Sequence, residues 1–166
     1  MKYYAGIGSR ETPKDILETM SALGAKLADA GWVLRSGGAD GADKAFEHGC
    51  DLFEGAKEIY IPWKGFNNSS SQLYNIPSGA FEMAAQFHPA WHRCSQGARK
   101  LHARNMAQIL GQDLQTPCHR VVCWTRDAQL VGGTAQAIRL AQHHNIMVVN
   151  LADKTMLNHV LDYIQR

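Results

Sequence analysis

Apolar residues recur along the chain in two alternating rhythms. Short continuous runs read as strands buried on both faces, and longer stretches with apolar positions three and four apart read as helices. The first run, residues 3–7, ends in Gly6-Ile7-Gly8-Ser9-Arg10. Thr12 and Pro13 then predict a helix start, with threonine as the cap and proline at the first helical position. Ile16, Leu17, Met20, Leu23, Leu27 and Ala28 put one apolar face on that helix, and Gly31 ends it. A second strand is expected over 32–35, a helix over 43–54 stopped by Gly55, and a third strand over 58–62. Residues 63–78 are irregular. Helical patterns return over 79–87 and 97–110. A strand at 120–125, a helix at 135–143, a strand at 146–150 and a helix at 154–165 complete the order.

This alternation predicts the α/β class, a Rossmann-like three-layer α/β/α fold with a mainly parallel sheet, as one domain over 1–166. Right-handed crossovers bring the carboxyl ends of the strands to one edge, where ligands of such sheets bind. Three glycine-rich turns fall on that edge: Gly6 to Arg10, the central Ser36-Gly37-Gly38-Ala39-Asp40-Gly41-Ala42-Asp43, and Val131-Gly132-Gly133-Thr134. Glycine lets backbone approach a ligand, and the N–H groups of a starting helix attract anions. Gly8, Ser9, Arg10, Ser36, Gly37, Gly38, Gly132, Gly133 and Thr134 are therefore candidate ligand-binding residues. The competing readings are a tight strand-to-helix turn with an aspartate cap in the centre, and a Thr134-capped helix in the third turn. Asp40 and Asp43 would repel a phosphate, so they either cap the helix or accept hydrogen bonds from ribose hydroxyls.

The loop Asn67-Asn68-Ser69-Ser70-Ser71 follows the third strand on the same edge, as a lid or as a plain surface loop. Trp63 or Phe66 beside it is a candidate to stack on a base. Within the helical stretch 97–110, His102 and Asn105 share a face while Arg104 points elsewhere. Arg104 either forks onto a phosphate or is a solvated surface residue.

Composition narrows the class. A length of 166 residues suffices for one core without covalent staples. A formal charge of +2 with no run of Lys or Arg argues against a nucleic-acid partner. Cys50, Cys94, Cys118 and Cys123 form no CxxC pair, so free thiols in a reducing cytosol are expected. Met1 leads directly into the first strand, and neither a secretory leader nor a membrane span is expected. The cluster His88-Pro89-Ala90-Trp91-His92 with Cys94 and His102 matches no common zinc spacing, nor does Cys118-His119 with Cys123. Neither a metal nor a cofactor is expected. There is no Gly-x-Ser-x-Gly elbow and no Walker lysine motif.

The first two glycine turns, with Ala5-Gly6-Ile7-Gly8-Ser9-Arg10 leading the first, resemble the nucleotide-binding fold of the DNA-processing protein DprA (Smf). The later half resembles the Lonely Guy phosphoribohydrolases, which carry a helical Arg-Lys motif and then a Gly-Gly-x-Gly-Thr-x-x-Glu turn. Both belong to the SMF/DprA–LOG (SLOG) superfamily, and the resemblance spans roughly residues 3 to 151. It implies a domain that binds a nucleotide or nucleotide-derived small molecule, as a sensor or sequestering protein, and that forms a homo-oligomer. A bacterial or phage single-domain member fits this length. Arg104 matches the family's helical arginine, but Asn105 stands where the lysine follows, and Ala137 stands where the catalytic glutamate falls. The alternative is an enzyme acting on the N-glycosidic bond, a phosphoribohydrolase or a deoxyribosyltransferase-like glycosidase. It would rely on Asp40 or Asp43 as its carboxylate, Asp113 being a further acid near a loop. A DNA-processing partner protein is the least supported class.

Overall fold

The computed structural model describes residues 1–166. Five strands form one all-parallel sheet: β1 Tyr3–Gly6, β2 Val33–Ser36, β3 Lys57–Ile59, β4 Arg120–Cys123 and β5 Met147–Asn150, in the order β3-β2-β1-β4-β5. Six helices connect them: α1 Lys14–Asp29, α2 Ala42–Leu52, α3 Ser78–Phe87, α4 Gln96–Leu110, α5 Thr134–His143 and α6 Lys154–Gln165. The registers Tyr4↔Leu34, Ala5↔Val121 and Val122↔Val149 align the carboxyl ends of the inner strands. No helix is long and apolar enough to cross a membrane.

Both sheet faces are covered, which is why the strands lack polar alternation. On one face Tyr4, Leu34, Ile59 and Val122 pack with Met20 and Leu23 of α1, Phe46 of α2 and Leu157 of α6. On the other, Ala5, Val121 and Cys123 pack with Ala84 of α3, Met106 of α4 and Ile138 of α5. The result is the Rossmann-like three-layer fold expected from the pattern. All four cysteines are free, and three of them are buried.

The departures from expectation are local. The α1 cap differs: the helix begins at Lys14, Pro13 takes the cap position, and no side chain caps it. The Thr12 hydroxyl instead donates to the Ser9 carbonyl (2.5 Å), and the Thr12 N–H donates to the same oxygen (3.2 Å). Thr12 therefore closes the turn after β1 rather than opening a helix. Strand β3 is also shorter than expected: Tyr60 continues it only as an isolated bridge to Leu73. Arg35, at the end of an otherwise apolar run, is buried. It pairs with Glu58 (2.9 Å), donates to the Thr116 carbonyl and lies over the Tyr3 ring at 4.0 Å.

Helices α1 and α2 meet through glycines. A Cβ on Gly24 would lie 2.7 Å from the Phe46 carbonyl, and one on Gly49 would overlap the Ser21 carbonyl and sit 2.9 Å from Ala25 N. Both clashes are with backbone, which cannot rotate away. Gly49→Ala gains about 1 kcal/mol of helix propensity but must push the helices apart. We expect a net loss of about 1–3 kcal/mol, read as a lower urea midpoint. A higher midpoint would mean that propensity outweighs the close approach.

Candidate functional site

The strand order reverses between β1 and β4, and the crevice that this opens is the usual ligand position in such sheets. A cavity of about 810 Å³ lies at the carboxyl edge of the strands. Its lining comes from the segments following β1, β2, β3 and β4, and from α4.

From the first turn come Gly8, Ser9, Arg10 and Glu11. The Ser9 hydroxyl accepts from the Glu11 N–H at 2.9 Å, which holds the turn in shape. From the third come Gly132, Gly133 and Thr134. Gly132 has φ +75°, which favours glycine. The helix that follows has Gly133 at its cap and no side-chain cap, so Thr134 does not cap it. A Cβ at Gly132 or Gly133 would meet nothing within 4 Å. The Ala135 N–H turns back to the Gly132 carbonyl (3.3 Å), and no side chain caps the N–H groups of Gly133 and Thr134 at this start, beside open space.

The central turn is arranged differently. Asp40 and Asp43 line the cavity, whereas Ser36, Gly37 and Gly38 lie outside its lining. Ser36 is fully buried, and its hydroxyl donates to the Gly6 carbonyl at 2.6 Å. Gly37 is a glycine because of α4: a Cβ there would overlap the Gln108 amide and lie 2.6 Å from Arg104 Nη1. The α2 cap position is Gly41, and neither aspartate caps the helix from it. Asp43 Oδ2 instead accepts from the Ala39 N–H at 3.2 Å, and Asp40 Oδ1 accepts from Asn67 Nδ2 at 2.9 Å. Asn67 Nδ2 also donates to the Gly38 carbonyl (2.9 Å), so the loop after β3 is tied to the central turn. That loop contributes Trp63 and Phe66, whose rings meet edge to face at 5.4 Å.

Helix α4 supplies the floor. Arg104 is buried, not solvated, and shares the cavity lining with His102, Asn105 and Gln108. Its Nη1 donates to the Gly37 carbonyl and to the Tyr60 carbonyl (3.4 Å), and its Nε donates to Asn105 Oδ1 (2.8 Å). Asn105 Nδ2 in turn donates to the Gly133 carbonyl at 3.2 Å. Arg104 Nη2 has no protein partner. The guanidinium also lies 5.6 Å from the Phe66 ring centre. Sequence reasoning missed the rim residues Glu11 and Arg126, which pair at 2.6 Å across the first and fourth connections. It also missed the wall residue Thr125, held by Asn150 Nδ2 at 2.7 Å. Each depends on a distant partner, so no local pattern marks it.

Burial pushes the Asp43 carboxyl up to about 6, although the Arg104 charge and the Ala39 N–H pull it down. Burial likewise lowers the Arg104 guanidinium, with Asp43 opposing. His102 is lowered by burial, with the His88 and Arg104 charges acting in the same direction.

No family model matches the chain, and no curated protein matches it. Among solved structures, the molybdenum cofactor carrier protein MCP of Chlamydomonas reinhardtii matches with a TM-score of 0.56 at 17% identity, over 95% of this chain and 84% of that one. At that identity the likeness shows the fold.

The Asp43 shift has a sign that can be checked. An unfolded chain releases this proton near 3.8, the folded one near about 6, so the folded state holds more protons between those values. The contribution of Asp43 to stability therefore falls as pH rises through that window. Asp43→Asn removes this titration. Urea unfolding at a series of pH values from about 4 to about 6 should show a more positive slope of stability against pH than in the wild type. An identical slope would contradict the burial of this carboxyl.

Proposed function

We propose that this chain is a SLOG-type domain that binds a nucleotide or nucleotide-derived small molecule in the cavity. The observation that carries the reading is the start of α5: an uncapped helix with Gly132 and Gly133 facing free space at the switch point of a parallel sheet. Such a start supplies N–H groups and the positive end of a helix dipole to a phosphate. Arg104 Nη2 and Arg10 add charge to the same cavity. Asp40 takes ribose hydroxyls, and Trp63 with Phe66 offers an aromatic face to the base. A volume of about 810 Å³ suits a ligand of this size. The fold neighbour is named a cofactor carrier, which favours holding a small molecule over turning it over. A homo-oligomer belongs to the same proposal.

A second reading, cleavage or transfer at an N-glycosidic bond, has one observation in its favour. Asp43 is a cavity carboxyl whose proton is retained to about 6, a property suited to general acid–base work. Against it, Ala137 lines the cavity at the position where the resembled hydrolases carry their glutamate, and brings no carboxylate.

Gly133→Asp separates binding from folding. Its φ is −65° and its Cβ meets nothing, so the substitution fits the fold while adding a negative charge at the phosphate seat. Calorimetry with the nucleoside 5′-monophosphates should show affinity for at least one of them in the wild type and a loss of about tenfold or more in the variant. Equal affinity in a folded variant would reject the seat. Incubated with the same nucleotides, the wild type should release no base over multiple turnovers. Sustained release that disappears in Asp43→Asn would establish the second reading instead.

A further inference from the structure

Three side chains that the nucleotide reading leaves unused converge beside α4. His88 ends α3, Cys94 follows a short 3-10 turn at Trp91–Arg93, and His102 lies in α4. One ligand atom from each lies within 4.8 Å of the others. Cys94 Sγ is 3.6 Å from His88 Nε2, and the two imidazole rings are 4.7 Å apart. The turn that brings Cys94 in is braced by Arg99, which donates to the Trp91 carbonyl at 3.1 Å. Chain spacing hides the set, because α3, the turn and α4 contribute one residue each.

We propose that His88, Cys94 and His102 form a binding site for a divalent transition metal of the zinc type at the edge of the cavity. The donor set of two imidazoles and one thiolate is zinc chemistry. In a tetrahedral zinc site neighbouring donor atoms are about 3.3–3.6 Å apart, a contraction from the separation here that side-chain rotation provides. His102 belongs both to this cluster and to the cavity lining, so the metal borders the ligand space. Three protein donors leave a fourth position for water or for an oxygen of the ligand.

Two buried polar groups are left without partners in the metal-free arrangement. His102 Nδ1 is one. The Gln136 amide, on a residue 1% exposed, is the other, with both its oxygen and nitrogen unpaired. Gln136 lies against His102 and can accept the ring N–H that a metal-bound imidazole must place somewhere. His88 must change. Its Nδ1 accepts from the Ala90 N–H at 2.9 Å, which puts the ring proton on Nε2, facing sulfur. On binding, Cys94 releases its thiol proton to solvent and takes the metal as thiolate, while His88 changes tautomer through solvent: Nε2 loses its proton and faces the metal, and Nδ1 gains one and gives up the Ala90 hydrogen bond.

The full chain titrated with Co²⁺ alone tests this without any nucleotide. We expect saturation at one equivalent, intense visible bands of tetrahedral cobalt, a thiolate-to-cobalt band in the near ultraviolet, and displacement of all of them by Zn²⁺. Cys94→Ser should abolish the thiolate band, and His102→Gln should weaken cobalt binding by about tenfold or more, with circular dichroism confirming the fold. His92→Gln, in the same turn but outside the cluster, should bind as the wild type does. Absence of saturable binding by the wild type would overturn the proposal. So would a thiolate band that survives Cys94→Ser.

Discussion

Adjacent residues on one helix hold the site together. Arg104 reaches the carbonyl of Gly37 in the central turn, Asn105 reaches the carbonyl of Gly133 in the third, and the two side chains bond to each other. A buried guanidinium is costly unless its donors are satisfied and a counter-charge is near. Here the carbonyls of Gly37 and Tyr60, the Asn105 oxygen and the neighbouring Asp43 meet that condition for Nε and Nη1 and leave Nη2 to the cavity. The distance from α4 to both turns is thereby set. The same arrangement explains why Gly37 has no side chain: Arg104 and Gln108 occupy the space.

The helix starts differ in how their first N–H groups are met. Helices α4 and α6 are capped by Ser95 and Asp153, whose side chains accept from backbone N–H groups at 3.1 and 2.9 Å. The two helices that start at the cavity, α2 and α5, have Gly41 and Gly133 at the cap position and no side-chain cap. Of these, α2 already carries an acidic residue, Asp43, in its first turn, whose carboxylate accepts from Ala39 in the loop before the helix. Of the two, α5 has neither a side-chain cap nor an acidic residue in its first turn. An anionic ligand is therefore directed to the third turn, and the central turn works as its support.

The strands and helices were legible because burial on both sheet faces imposes continuous apolar runs, and helix faces such as Ile16 to Leu27 repeat at helical spacing. The position of the cavity was legible from topology alone. What local pattern could not resolve was which glycines serve a ligand. A glycine that yields to a neighbouring side chain, as at Gly37, reads the same as one that opens onto a cavity, as at Gly133. Arg104 was legible as a candidate but not as a buried tie, because its partners lie on other elements. Thr12 was misassigned for a similar reason, its hydroxyl being drawn to Ser9. The convergence of His88, Cys94 and His102 is wholly tertiary.

The central claim is that a phosphate rests on the open start of α5. Amide chemical shifts of the isotope-labelled protein, followed as a nucleoside monophosphate and then inorganic phosphate are added, test it most directly. The account predicts that the amides of Gly133 and Thr134 move most with either ligand, and that signals of Trp63 and Phe66 move only with the nucleotide. Shifts centred on Gly37 and Gly38 with Gly133 and Thr134 unmoved would contradict it.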